Sequence, residues 1–169
     1  MASPRTDHDA KDADTSPVAP WFAKRTIGSL LDERARRDGP REALVFEGRR
    51  STFAELGHDV DVMARGLIQL GIEPGEKVSL WMMNRPEWIH AALAVMRIGA
   101  VLVPINSRFR SEDAAYVLGQ SDSTTLIIAA RSGPIDYLGM VRALLPLSRI
   151  RPRRCRRAEP AGVAARHRP

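Results

Sequence analysis

Three short, mostly apolar runs separated by two helical segments constrain the fold of this chain more than any other feature. The runs cover residues 78–82, 101–105 and 124–128. Few polar residues interrupt them, which is typical of strands that are buried on both faces. Strand, helix, strand, helix, strand at this spacing predicts a parallel sheet with crossover helices. We therefore expect an α/β fold, with a partial parallel sheet and flanking helices.

The segments between the runs carry helix start signals. Asn84 is expected to cap a helix over residues 85–98, with Glu87 as its partner in a capping box. That helix is apolar almost all round, which predicts a buried helix. Ser111 is expected to cap a second, shorter helix that leads to the third run.

The residues before the first strand predict a helix, a β-hairpin and another helix. Thr26 should cap the first helix, which should run to about Asp38, and the hairpin should cover residues 43–53. Thr52 and Glu55 have the spacing of a capping box, so the next helix should start there. After the third run, residues 136–145 have the apolar spacing of one more helix.

An ordered series of motifs in this region carries a family resemblance. The series consists of Trp81-Met-Met-Asn-Arg-Pro-Glu-Trp88, Arg97-Ile-Gly-Ala-Val-Leu-Val-Pro-Ile-Asn106, Arg108-Phe-Arg-Ser-Glu-Asp-Ala-Ala-Tyr-Val-Leu118 and Gln120-Ser-Asp-Ser. It resembles the N-terminal part of the adenylate-forming (AMP-binding) enzymes, and most closely the fatty-acyl-CoA synthetases. The resemblance extends over about residues 26–147 and covers about the first quarter to third of a complete family member.

The resemblance implies an ATP-dependent ligation of a carboxylic acid to CoA through an acyl-adenylate. The intact enzyme would use ATP, Mg²⁺ and CoA, and it needs a Ser/Thr/Gly-rich phosphate loop ending in Pro-Lys-Gly and a C-terminal lysine. This sequence contains no Gly-x-Pro-Lys, and its only lysines are Lys11, Lys24 and Lys77. We therefore expect a truncated synthetase that is inactive alone, without a catalytic, cofactor-binding or metal-binding residue. The alternative is a non-catalytic interaction module.

Asn106 and Arg108 are the candidate ligand-binding residues, because they follow the C-terminal end of a predicted strand. Ligands of open parallel sheets bind at that edge. The alternative interpretation is that these two residues cap and brace the loop.

Two other pairs of side chains have two interpretations each. His90 with Glu87 is either a site or a solvated or hydrogen-bonded pair on one helix. Trp81 and Trp88 either line a pocket or pack in the core.

Composition divides the chain into three regions. Residues 1–20 are predicted to be a disordered leader, residues 21–148 a partial synthetase N-terminal domain, and residues 149–169 an arginine-rich disordered tail. Residues 151–169 hold seven arginines and one Glu, whereas the rest of the chain is neutral overall. The tail is a weak, non-specific nucleic-acid arm, a solvated end, or the product of a shifted reading frame.

Length and composition indicate where in the cell the protein is expected and which binding partners are not expected. No apolar run approaches the roughly 20 residues that a membrane helix needs, and the N-terminus lacks the apolar centre of a signal peptide. Cys155 is the only cysteine, so no intrachain disulfide forms. We expect a cytoplasmic protein with no specific nucleic-acid partner, whose exposed sheet edge promotes self-association.

Overall fold

A computed structural model describes residues 26–144 and, as backbone only, residues 151–154 and 163–166. The helices of this part are α1 (Ile27–Arg37), α2 (Phe53–Gln69), α3 (Pro86–Arg97), α4 (Ser111–Ser121) and α5 (Tyr137–Leu144). The strands are β1 (Glu42–Phe46), β2 (Arg49–Thr52), β3 (Lys77–Trp81), β4 (Val101–Pro104), β5 (Thr125–Ile128), β6 (Arg151–Arg154) and β7 (Val163–Arg166).

The three apolar runs form the parallel sheet that the sequence predicted. β3 lies in the middle, with β4 parallel on one side and β5 parallel on the other. Val78 pairs with Leu102 of β4 and with Thr125 of β5, so the three strands are in register near their starts. The α/β fold class is confirmed.

The prediction that all three runs are buried on both faces is wrong for β4. Four of the five residues of β3 and all four of β5 are buried, whereas β4 is half-buried, with exposed Val101 and Pro104 at its ends. The reason is strand order, because β4 lies at an edge of the sheet and pairs only with β3. Periodicity does not reveal which of three similar runs lies at the edge.

The tail contributes two strands that the sequence did not predict. The backbone of β7 pairs antiparallel with β5, and β6 pairs antiparallel with β7, which gives the sheet order β4-β3-β5-β7-β6. These strands lack the alternating apolar pattern used for prediction, and main-chain pairing along the otherwise open side of β5 accounts for them. The predicted leader, and residues 149–150, 155–162 and 167–169 of the tail, lie outside the described residues.

The predicted β-hairpin is formed by β1 and β2, which pair antiparallel from Glu42 opposite Thr52 to Phe46 opposite Arg49. Its two-residue turn consists of Glu47 and Gly48, both with positive φ. This is the turn geometry that matches the twist of paired strands.

Two of the four predicted helix caps are confirmed. The Thr26 hydroxyl accepts a hydrogen bond from the backbone N–H of Ser29, and Ser29 Oγ accepts one from the Thr26 N–H. At α2, Thr52 Oγ1 accepts from the Glu55 N–H, and the Glu55 carboxylate accepts from the Thr52 N–H at 2.8 Å. The hydrogen bond from the Thr52 N–H, and a second one from the Thr52 hydroxyl at 3.0 Å, hold the pKa of the Glu55 carboxyl below its usual value.

The other two predicted caps, Asn84 and Ser111, are wrong by one residue. Arg85 is the N-cap of α3, with φ −163° and ψ 161°, because the residue before Pro86 is driven to extended backbone. Arg110 is the N-cap of α4, and its N–H donates to the carboxylate of Asp113 at 3.2 Å.

The core lies between the sheet and the helices. β3 and β5 supply its centre together with the inward faces of α2 and α3, and α3 packs on β3 and β4. A buried hydrogen bond joins β3 to the residues just before β5, because Ser79 Oγ donates to Ser123 Oγ at 2.8 Å. Successive residues of β3 point to opposite faces, so Ser79 and Trp81 share the face that Tyr137 covers.

Candidate functional site

The candidate site is the loop over residues 105–110, which leaves the sheet at the carboxyl end of β4. The N–H of Ile105 donates to the carbonyl of Leu80 at 2.9 Å, which extends the pairing of β4 with β3 by one residue. Ile105 is buried, whereas Asn106, Arg108 and Arg110 are exposed. The loop therefore lies at the edge where open parallel sheets bind ligands.

Asn106 braces this loop. Its side-chain Oδ1 accepts a hydrogen bond from the Arg108 N–H at 2.9 Å, and its carbonyl accepts one from the Phe109 N–H at 3.0 Å. Both bonds close a tight turn, as the bracing interpretation of Asn106 expects. Arg108 is held through its backbone, and its side chain is exposed at the sheet edge. A ligand role for Asn106 or Arg108 stays a prediction.

Two buried aromatic side chains contact the same loop from the core side. The indole N–H of Trp81, the last residue of β3, donates to the Asn106 carbonyl at 3.2 Å. The hydroxyl of Tyr137, the first residue of α5, donates to the Ser107 carbonyl at 3.1 Å. The two rings meet edge to face, with centroids 5.1 Å apart. The geometry favours the core interpretation of Trp81 over the pocket interpretation.

Local sequence at the start of α5 places Tyr137. The Asp136 carboxylate accepts a hydrogen bond from the Gly139 N–H at 2.9 Å, and the Leu138 N–H donates to the Ala130 carbonyl at 3.1 Å. The first contact starts the helix, and the second ties it to the residues after β5. Burial raises the pKa of the Tyr137 hydroxyl, so this group acts as a neutral donor.

Arg85 and Glu87 form a second charged feature, in the first turn of α3. Arg85 Nε and Nη2 donate to the Glu87 carboxylate at 2.7 and 3.0 Å, a bidentate pair. The hydrogen bond to Glu87 raises the pKa of the Arg85 guanidinium. Burial raises the pKa of Glu87, but the bonds from Arg85 and the backbone outweigh it and hold that pKa below its usual value.

His90 faces a different partner from the one that the sequence suggested. Its Nε2 lies 4.0 Å from Oδ2 of Asp59 on α2, whereas Glu87 is bonded to Arg85. Burial lowers the pKa of His90, although Asp59 and Glu87 oppose this effect. The imidazole is therefore part of the contact between α2 and α3.

Trp88 is half-buried and packs against the core. Within the described residues, no group of three or more His, Cys, Asp or Glu side chains is arranged to hold a metal ion. In the same part of the chain, no helix is both long and apolar enough to cross a bilayer.

Comparison with known proteins identifies the family. The family model described as AMP-binding enzyme matches residues 31–162, and the chain therefore belongs to this family. The expected resemblance to adenylate-forming enzymes is confirmed, and the matching relatives include acyl-CoA ligases.

Two curated relatives illustrate the match. The 3-[(3aS,4S,7aS)-7a-methyl-1,5-dioxo-octahydro-1H-inden-4-yl]propanoyl:CoA ligase of Mycobacterium tuberculosis is 36% identical over 126 residues, which cover 74% of this chain and 25% of the ligase. The mitochondrial medium-chain acyl-CoA ligase ACSF2 of Bos taurus is 29% identical over 74% of this chain and 21% of its own length. The chain thus spans a quarter or less of these relatives.

A solved structure supports the fold assignment. The N-terminal subdomain of NpsA from Klebsiella oxytoca, in complex with anthranilyl-AMSN, is 30% identical, with a TM-score of 0.59 over 60% of this chain and 26% of that one. The described α/β unit is therefore similar to part of an N-terminal adenylation domain.

Sequence reasoning identified Asn106 but missed Tyr137 as a contact of the same loop. The sequence pattern indicates Tyr137 only as an apolar position on the predicted helix 136–145. Its hydroxyl partner depends on how α5 returns to the sheet, which no local pattern specifies.

Proposed function

We propose that this chain supplies the N-terminal portion of an acyl-CoA synthetase. The parent activity is ATP-dependent adenylation of a carboxylic acid, of the fatty-acid class, followed by transfer of the acyl group to CoA. The observation that carries the proposal is the family match over residues 31–162, together with CoA ligases among the relatives. The intact enzyme uses ATP, Mg²⁺ and CoA in the cytoplasm.

The 169-residue chain is inactive by itself in this proposal. Adenylation requires groups that cradle the triphosphate and a cation that stabilises the charge developing on the acyl phosphate. The sequence holds no Gly-x-Pro-Lys motif and no lysine after Lys77. The described residues thus supply a scaffold and one edge loop, and the reacting groups belong to the remaining three quarters of a complete enzyme.

Exchange of labelled pyrophosphate into ATP tests the inactivity of the chain. The purified chain is incubated with Mg²⁺, ATP and a mixture of fatty acids, and a complete acyl-CoA ligase serves as the positive control. We expect no acid-dependent exchange from the chain. Measurable exchange would overturn the proposed inactivity.

A chimera tests the parent activity. This chain replaces the matching segment of the Mycobacterium tuberculosis ligase, and circular dichroism confirms that the product folds. We expect acid-dependent exchange to be retained, because the fold and its edge loop would be supplied in place. A folded chimera without exchange would count against the proposal.

A further inference from the structure

The loop over residues 106–109 is held by two aromatic donors from separate elements. Trp81 Nε1 donates to the Asn106 carbonyl at 3.2 Å, and the Tyr137 hydroxyl donates to the next carbonyl, that of Ser107, at 3.1 Å. Both aromatic side chains are fully buried. Two consecutive carbonyls of one loop are therefore bonded to side chains of the hydrophobic core, and the Asn106 carbonyl also accepts from the Phe109 N–H at 3.0 Å.

This arrangement stabilises one position of the loop because both donors are packed in the core. Trp81 and Tyr137 contact each other edge to face, a preferred geometry for aromatic pairs. Each side chain has a single polar hydrogen, and a buried donor without a partner is costly. The core therefore stabilises one position of the Asn106 and Ser107 carbonyls over others.

We propose that Trp81 and Tyr137 are positioning residues for this loop. They hold residues 106–109 in one conformation, so that the backbone of Arg108 has a defined place at the carboxyl edge of the sheet, from which its exposed side chain extends. A guanidinium carried at that edge suits an anionic substrate group. This use of the loop rests on the proposed synthetase function, whereas the positioning itself does not.

Two amides of the loop report its order. The Arg108 N–H is bonded to the Asn106 side chain and the Phe109 N–H to the Asn106 carbonyl. Both bonds depend on the position of Asn106, which Trp81 contacts directly and Tyr137 holds through Ser107. Loss of either aromatic donor should expose both amides to exchange with solvent.

Amide hydrogen exchange of the ¹⁵N-labelled 169-residue chain, followed by NMR, tests the positioning. Tyr137→Phe removes only the hydroxyl, and Trp81→Phe removes the indole N–H. Tyr116→Phe is the matched control, because Tyr116 is 70% exposed on α4. We expect exchange at the Arg108 and Phe109 amides to accelerate roughly five- to ten-fold in the first two variants, as for the loss of one net hydrogen bond. The control should leave both rates unchanged.

Reference amides in β3 and β5 separate positioning from general destabilisation. Equal acceleration of the loop and the strands in Tyr137→Phe would overturn the proposal, as would unchanged loop rates. If Trp81→Phe does not fold, Tyr137→Phe decides the question alone. The result is independent of pyrophosphate exchange, so failure of the proposed function and failure of the positioning are distinguishable.

Discussion

Nη1 of Arg97 lies 2.6 Å from Oδ1 of Asp32, and Nη2 of the same guanidinium lies 3.0 Å from Oδ1 of Asp61. The two aspartates belong to α1 and α2, so one arginine of α3 joins three helices. Nη1 is buried and its contact is an ion pair rather than a well-directed hydrogen bond. Arg97→Gln should therefore lower the free energy of unfolding by about 1–2 kcal/mol, measured by urea denaturation.

Arg65→Gln is the control for this prediction, because Arg65 is exposed on α2. We expect it to change the free energy of unfolding by less than about 0.5 kcal/mol. Equal effects of the two substitutions would show that the bridge between the helices contributes nothing measurable.

Substitution of two glycines by alanine is expected to change the stability of the chain in opposite directions. A Cβ at Gly39 would lie 2.7 Å from the carbonyl oxygen of Ala35, and relief of this contact would require a costly shift of the backbone. Gly39→Ala should destabilise the chain by about 1–3 kcal/mol. A Cβ at Gly119 in α4 meets nothing within 4 Å, so Gly119→Ala should stabilise it by about 0.5–1 kcal/mol. Thermal unfolding of both variants checks the signs, and a stable Gly39→Ala would contradict the clash.

The sequence predicted the elements of this fold well where a single local signal decides the outcome. Thr26 and Thr52 each have a partner three residues on, and both caps formed as expected. At Asn84 two local signals competed, and the restriction that Pro86 places on Arg85 outweighed the preference of Asn for the cap.

Long-range features could not be predicted from the sequence. The exposure of β4 follows from strand order, and the pairing of β7 with β5 follows from an open sheet side. At the candidate site, Asn106 was identified because it follows a strand. Its contact with Trp81 joins two strands, so it became visible only in the folded chain.

The half-buried His90 predicts a pH dependence of stability. Burial lowers its pKa below the usual value of 6.5, so the unfolded chain binds the proton more readily than the folded chain. The contribution of neutral His90 to the free energy of unfolding is therefore fully present above about pH 6.5. It is lost as the pH falls from there through the folded-state pKa. His90→Gln should remove this part of the pH dependence in urea denaturation between pH 5 and 7.5 (roughly the range in which histidine titrates).

His58→Gln is the control, because His58 is exposed on the same helix that carries Asp59. It should leave the pH dependence of wild type in place. A wild-type slope that survives in His90→Gln would assign the effect to other groups.

The exposed edge of β4 predicts self-association. Val101 is 47% exposed on an edge strand, a feature that promotes strand pairing between molecules. Val101→Lys should reduce the association measured by light scattering across a concentration series, because a charge opposes edge-to-edge pairing. Ile68→Lys is the control, since Ile68 is 57% exposed but lies on helix α2. An equal reduction by both would indicate general hydrophobic attraction instead.

The composition of the tail predicts a property of the gene. The chain holds 23 arginines and three lysines, which indicates GC-rich codons, and such codons read out of frame give the Arg, Pro, Ala and Gly of residues 149–169. On the shifted-frame interpretation, DNA after about codon 147 should encode, in another frame, a phosphate loop ending in Pro-Lys-Gly. Resequencing of the gene, with mass spectrometry of the C-terminal peptides, checks this. The family match extends to residue 162, past that codon, which counts against the shifted-frame interpretation. A confirmed frame with no synthetase motifs in the other frames would refute the shift, and the tail would then be a native part of the sheet through β6 and β7.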